Sequence, residues 1–406
     1  MPIIADNKKS VRSVVVVAII TAACLMGDSM LYIVLPTHWQ EAGLDSLWEV
    51  GILLSINRFI RLPLTPLIGW AYAHINIRTG VFAAVTLTGI LTVGYGCVNT
   101  FIGWLVLRCV WGIAWTCLRM GAYLMILECA DESCRGVVFG RYNGLFRLGS
   151  LVGMLAGGVI ADTWGLATAA VVFGVVALIT VPFAIQYVPP ICVALKESEP
   201  VWQRLQRMTD PLVYRALITG MVIALAFQGV VASSLSHLVR MNWGASMYLG
   251  GVWVGAASLA GMLQALRWSW EPWLAPWFGR FSDGKMHRAK VLALMLLAVA
   301  LLLGIMPFRM PIWLWMIAVG GMQITATALT TIGDAAAADA SVNQSRTTVM
   351  TLYVMATDIG AALGPLIGYL MADLWGIGSI YWATAGLLAA LAFWWFSGNR
   401  QSASIA

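Results

Sequence analysis

Charge is what this sequence has least of. Only 10% of its 406 residues are Asp, Glu, Lys or Arg, against 60% hydrophobic, and so little charge cannot clothe a soluble surface. Short stretches of alternating polar and apolar residues are also missing, which excludes a transmembrane β-barrel. Seven cysteines (Cys24, Cys97, Cys109, Cys117, Cys129, Cys134 and Cys192) form no CxxC pair, so neither a disulfide framework nor a thiolate metal site is expected. The four histidines, His38, His74, His237 and His287, are scattered over loops. They offer no catalytic cluster with an acid at a membrane face, and an embedded enzyme is therefore disfavoured. A channel is disfavoured as well, because the charges are single and asymmetric where a pore calls for symmetric rings. No cofactor, metal or nucleic-acid partner is expected.

What the chain does have is long apolar runs, each near the roughly 20 residues that cross a bilayer as helix. Twelve spans are assigned, near 14–36, 46–72, 80–97, 101–127, 142–161, 166–187, 212–236, 247–278, 289–306, 311–332, 347–371 and 377–397. With the amino terminus inside, sixteen of the 24 Lys and Arg fall in cytoplasmic segments and only Arg240 and Arg309 in outer loops. That bias predicts a multi-pass protein of the cell membrane with both termini cytoplasmic. Residues 1–13 read as a basic flank of the first span and not as a cleaved signal peptide, since the apolar run continues past Asp28 to Pro36.

One stretch occurs twice. GSLVGMLAGGVIADTWG at 149–165 returns 211 positions later, without a gap, as GAALGPLIGYLMADLWG at 360–376. Eight of the 17 paired positions are identical; chance would supply about one or two, so the chain is an internal duplication. Each copy sets glycines on every fourth position, letting another backbone approach where packing joins helices, and each ends in Asp-x-Trp-Gly. The expected plan is an all-α membrane protein of two pseudo-symmetric six-helix bundles, 1–187 and 212–406. Between them 188–211 (VPPICVALKESEPVWQRLQRMTDP) reads as a cytoplasmic linker whose WQRLQRM stretch lies on the membrane surface.

Ionisable residues inside spans are costly and are functional candidates by default. The acids are Asp28, Glu271 and Asp358; the arginines are Arg58, Arg61, Arg108, Arg119, Arg147 and Arg267. Six arginines against three acids favour an anionic, carboxylate-bearing substrate over a cationic one, since guanidinium and carboxylate pair in bidentate geometry. Asn57 and Gln228 join Arg58, Arg61, Arg119 and Arg267 as candidate substrate contacts. Asp28 and Arg108 both lie about seven or eight residues from the outer boundary, so they can pair at like depth. If they do, Asp28 can take a proton when its partner moves.

Several motifs resemble those of the major facilitator superfamily. The loop GRFSDGKMHRAK (279–290) follows its G-x-x-x-D-x-x-x-x-R signature through Gly279, Asp283 and Arg288, and GWAYAHINIRTG (69–80) follows it with Ala73 in place of the acid. Arg108 and Gly112 match its Arg-x-x-x-Gly. The glycine run from Gly149 to Gly158 resembles the signature of its antiporters, with Met154 where they have proline. The runs SMLYIVLPTHWQEAGLDSLWEVGILLSINRFIRLP and YNGLFRLGSLVGMLAGG look like exporters of staphylopine-like, opine-type metallophores.

The resemblance implies alternating access around a mid-membrane cavity, with Asp28 facing that cavity as the proton-coupling residue beside Arg108. It implies that span 2 packs on span 11 and span 5 on span 8. With the offset of 211 in spans 5 and 11, and of 210 in spans 2 and 8 where Pro66/Pro276 and Gly69/Gly279 coincide, Arg61 then corresponds to Glu271 and Arg147 to Asp358. Two gating ion pairs are expected, Arg61 with Asp358 and Arg147 with Glu271, alongside a gating role for Asp283. The whole reads as a monomeric, proton-driven exporter of a small anionic metabolite, with multidrug or sugar efflux as the alternative. A charge exchange tests the gate. Arg61→Asp and Asp358→Arg should each lower transport roughly tenfold or more, and the double exchange should recover part of it; no recovery would remove the pair from the gate.

Overall fold

The structure is a computed structural model that describes residues 2–129, 135–192, 210–282, 288–341 and 346–403. The WQRLQRM stretch and Asp283 lie outside the described residues. The chain divides into two compact units, Met1–Glu197 with Trp243–Ala265, and Ser198–Asn242 with Leu266–Ala406.

The first unit is built from α1 (Pro2–His38), α2 (Leu47–Phe59), α3 (Arg61–His74), α4 (Ile77–Gly94), α5 (Phe101–Cys129), α6 (Arg135–Ile179) and α7 (Val181–Tyr187). The stretch assigned to span 2 is two helices meeting at Ile60. Pro63 has no N–H to donate to the Phe59 carbonyl, so the hydrogen-bond ladder breaks there. α6 covers the fifth and sixth spans together, and its chain reverses at Gly165, whose φ of 83° is open to glycine at little cost. The beginning of the linker is pinned: Arg78 Nε donates to the Val188 carbonyl at 2.7 Å, and the Ile77 N–H to the Ile191 carbonyl at 2.9 Å.

A hairpin, β1 (Ser246–Leu249) with β2 (Val252–Gly255), then leads into α10 (Ala256–Ser282). Here the sequence expectation is corrected, because the eighth span was to start near 247. Gly250 and Gly251 both have positive φ and close a two-residue turn between runs rich in Tyr, Val and Trp, which is hairpin chemistry. The first turns of α10 pack on α6 within this unit.

The second unit opens with α8 (Pro211–Ala224), a π-helical turn at Leu225–Val231 and α9 (Ala232–Trp243). It continues through the rest of α10 to α11 (Arg288–Ile305), α12 (Ile312–Ala340), α13 (Arg346–Trp375) and α14 (Gly378–Ala403). Among the described residues ten helices are long and apolar enough to cross a membrane. One of these, Gly140–Tyr187, has 48 residues and folds back at Gly165, so it crosses twice. α10 adds the remaining crossing, its apolarity diluted by Arg267, Glu271 and Arg280. Twelve crossings result. Their outer faces carry exposed Ile102, Leu301, Ile317 and Phe393, side chains suited to lipid contact, while Trp104, Trp111 and Trp315 are fully buried.

The repeated glycines do the same work in both units. In the first, Gly149 and Gly153 on α6 face the backbone of α1 at Ala22 and Met26. In the second, Gly360 on α13 faces Met221 on α8, and Gly364 meets Leu225 and Gly229 in the π-turn. A methyl group at Gly364 would stand 2.7 Å from the Leu225 carbonyl oxygen, a backbone atom with little room to yield. Gly364→Val should therefore destabilise the protein by roughly 1–3 kcal/mol, read as a lower thermal unfolding midpoint in detergent.

Candidate functional site

α1, α2 and α5 meet around one carboxylate. Asp28 Oδ1 accepts hydrogen bonds from Arg108 Nη1 and, at 3.1 Å, from Asn57 Nδ2. Arg108 is 0% exposed, Asn57 0% and Asp28 6%, so this ion pair is buried within the membrane span. Arg108 Nε donates to the Leu53 carbonyl at 2.8 Å. One turn along α5, Gly112 lies against Asn57, and a methyl group there would come within 2.6 Å of the Asn57 carbonyl oxygen. The Arg-x-x-x-Gly spacing thus has a local reason: the arginine ties α5 to α2, and the glycine four residues later lets the backbones close.

Asn57 is a junction. Its amide holds Asp28, while its carbonyl accepts from Arg61 Nε at 2.9 Å. On the same helix Arg58 donates to the Tyr32 hydroxyl at 3.2 Å and lies 5.9 Å from the centre of that ring. Arg119 makes a similar contact with Tyr123, with Nε 3.2 Å from the hydroxyl. Around the ion pair the buried polar atoms exceed the protein partners available. Arg108 Nη2, Asn57 Oδ1, Ser55 Oγ, Tyr95 OH and Trp111 Nε1 make no hydrogen bond to protein. Buried groups of this kind ordinarily meet water or a ligand, so the cluster is equipped for polar exchange. Tyr32, Tyr95 and Trp111 did not stand out in the sequence, since aromatic residues on apolar helices usually only pack.

The remaining candidates are less concentrated. Arg147 is exposed on α6 in the first unit. In the second unit Gln228 is exposed within the π-turn, a feature often found at functional positions. Arg267 is 6% exposed, its guanidinium 5.6 Å from the ring centres of both Phe227 and Trp268. Under the 210-residue offset between spans 2 and 8, Arg267 is the counterpart of Asn57. Glu271 on α10 and Asp358 on α13 are half-buried in that unit.

Comparison with known proteins bears on the family and the fold. A family profile described as Major Facilitator Superfamily matches residues 17–271 and 272–404. The multidrug resistance protein MdtG of Klebsiella pneumoniae (strain 342) is 27% identical over 252 residues, covering 59% of this chain and 57% of MdtG. Among solved structures, a bacterial homologue of the human lysosomal transporter Spinster, inward-facing and unoccupied, aligns with a TM-score of 0.73 and 16% identity over 97% of each chain. The nucleoside transporter NupG aligns with a TM-score of 0.77 and 12% identity over 96% of this chain and 98% of its own. At such identities the structural likeness speaks to the fold.

The buried pair has a thermodynamic signature. Arg108→Leu strands the Asp28 charge and should cost roughly 3–5 kcal/mol, whereas Asp28→Asn with Arg108→Leu should cost clearly less than Arg108→Leu alone. Thermal unfolding of Asp28→Asn, Arg108→Leu and the double variant measures this coupling; additive losses would mean that the two charges do not depend on each other.

Proposed function

Because the chain belongs to the Major Facilitator Superfamily, we propose that it is a proton-coupled exporter of small anionic, carboxylate-bearing metabolites, with opine-type metallophores as the favoured class. The observation that carries this reading is the buried contact of Asp28 with Arg108 and Asn57. Each of the two charges is tolerable in the membrane only while the other is near. An anion that engages the free edge of Arg108, together with Arg58, Arg61 or Arg119, competes with Asp28 for positive charge. Asp28 then takes up a proton, and departure of the anion lets the pair re-form and return it. Binding of the anion and the protonation state of Asp28 are thereby coupled.

In the second unit Gln228 and Arg267 are proposed as substrate contacts, Arg267 lying beside the rings of Phe227 and Trp268 and carrying the guanidinium that pairs well with carboxylates. Arg61, Arg147, Glu271, Asp358 and Asp283 keep the gating role expected of them. Both termini are assigned to the cytoplasm. A second reading, efflux of amphipathic drugs, is favoured by the match to MdtG. Against it stands the excess of arginine over acid in the spans.

Transport into inverted vesicles decides between them. On imposing a proton gradient, the wild type should accumulate a small tricarboxylate probe, and Asp28→Asn should lose the response to the gradient while still binding the probe. Accumulation of ethidium in its place would select the drug reading. Movement indifferent to the gradient in the wild type would end the proton-coupled one.

A further inference from the structure

Asp162 stands in the turn that closes the first glycine-rich copy, and its carboxylate reaches a helix 96 positions further along the chain. Oδ2 accepts from the backbone N–H of Ser258 at 2.6 Å and from the Ser258 hydroxyl at 2.6 Å. Oδ1 faces His38 Nε2, at the end of α1, at 3.9 Å. All three residues belong to the first unit.

The turn itself does not call for this acid. Its free amide, the N–H of Leu166, is taken by Glu41 Oε1 at 2.9 Å. In the second copy the same Asp-x-Trp-Gly turn forms, with Gly376 at a φ of 79°, while the corresponding Asp373 is exposed. The helix receiving Asp162 does need it. α2 carries its cap in its own sequence: Ser46 Oγ accepts from the Glu49 N–H at 3.3 Å, and Glu49 Oε2 from the Asp45 N–H at 2.8 Å. α10 follows Gly255, has no acid in its first turn, and relies on a distant carboxylate both to satisfy Ser258 and to meet the positive end of its dipole. Directly along this contact Gly158 lies against the Ala257 carbonyl, and Gly261 against that of Met154, so the α6 and α10 backbones touch. A cap written into a helix moves with it. A cap supplied by another helix must be released before the two can part.

We infer that Asp162 is a positioning residue, a latch that holds the start of α10 to the turn of α6 and sets how readily this end of the first unit opens during transport. In the orientation proposed above it is the outer end. The inference rests on the transport reading only in requiring that this end open; substrate class and proton coupling do not enter.

Hydrogen–deuterium exchange of the purified full-length protein tests it without substrate or gradient, so its outcome is separate from that of Asp28→Asn. In Asp162→Ala, exchange over 256–262 should quicken about tenfold or more, as expected for losing a bond to a charged acceptor. Exchange over 69–80, at the opposite end of the unit, should slow, because opening one side closes the other. Asp162→Asn should show both changes at smaller amplitude, and carries the test if Asp162→Ala does not fold. Ser46→Ala should quicken exchange only at the start of α2. Faster exchange over 256–262 with 69–80 unmoved would reduce Asp162 to a helix cap, and no change in either would remove the contact altogether; both outcomes overturn the latch.

Discussion

A charge placed among apolar side chains must be answered by another, and much of this protein can be understood from where that condition is met. Asp28 is answered by Arg108, and Arg108 in turn by the Leu53 carbonyl. Because those partners lie on three different helices, one electrostatic requirement sets the mutual register of α1, α2 and α5. Asn57 extends it by joining the carboxylate through its side chain and Arg61 through its backbone. The same residues that make the bundle stable are thus the ones whose rearrangement is costly enough to be useful. A transporter needs such a point, where a small change of charge outweighs the packing that surrounds it.

The second constraint is geometric. In lipid the association of helices draws little on the hydrophobic effect, so close backbone approach has to supply it. Glycine rows on α6 and α13 provide that approach twice, and Gly112 provides it between α5 and α2. These contacts leave little slack. A displacement at one glycine is passed to the backbone opposite, so helices joined in this way shift together.

Much of this was legible in the residue order. Apolar run length and the duplicated glycine stretch point to twelve crossings and two related halves, because both are local properties of a helix in a bilayer. That Asp28 and Arg108 lie at like depth could be read by counting, since a helix rises by a constant amount per residue. Other features were closed to such reading. The hairpin at 246–255 is apolar and aromatic enough to pass for the start of a span, and only its paired glycines mark it otherwise. Ser258 looks like an ordinary helix serine until Asp162 is seen beside it. The repeated acid was visible in both copies, but the sequence suggests a turn in each, and only the fold shows that the first of them reaches Ser258.

The π-turn at Leu225–Val231 has a consequence of its own. Fitting a surplus residue into a helix turns everything beyond it by about 100° about the axis. Ser233 and Ser234 therefore look in directions that an uninterrupted helix would give to their neighbours, and Ser234 finds the Tyr381 hydroxyl at 3.0 Å as a result. Absorbing that extra residue back into regular winding would spin the far segment like a key in a lock while leaving α8 still, a motion open to the second unit and lacking any counterpart in α1, which runs without such a turn.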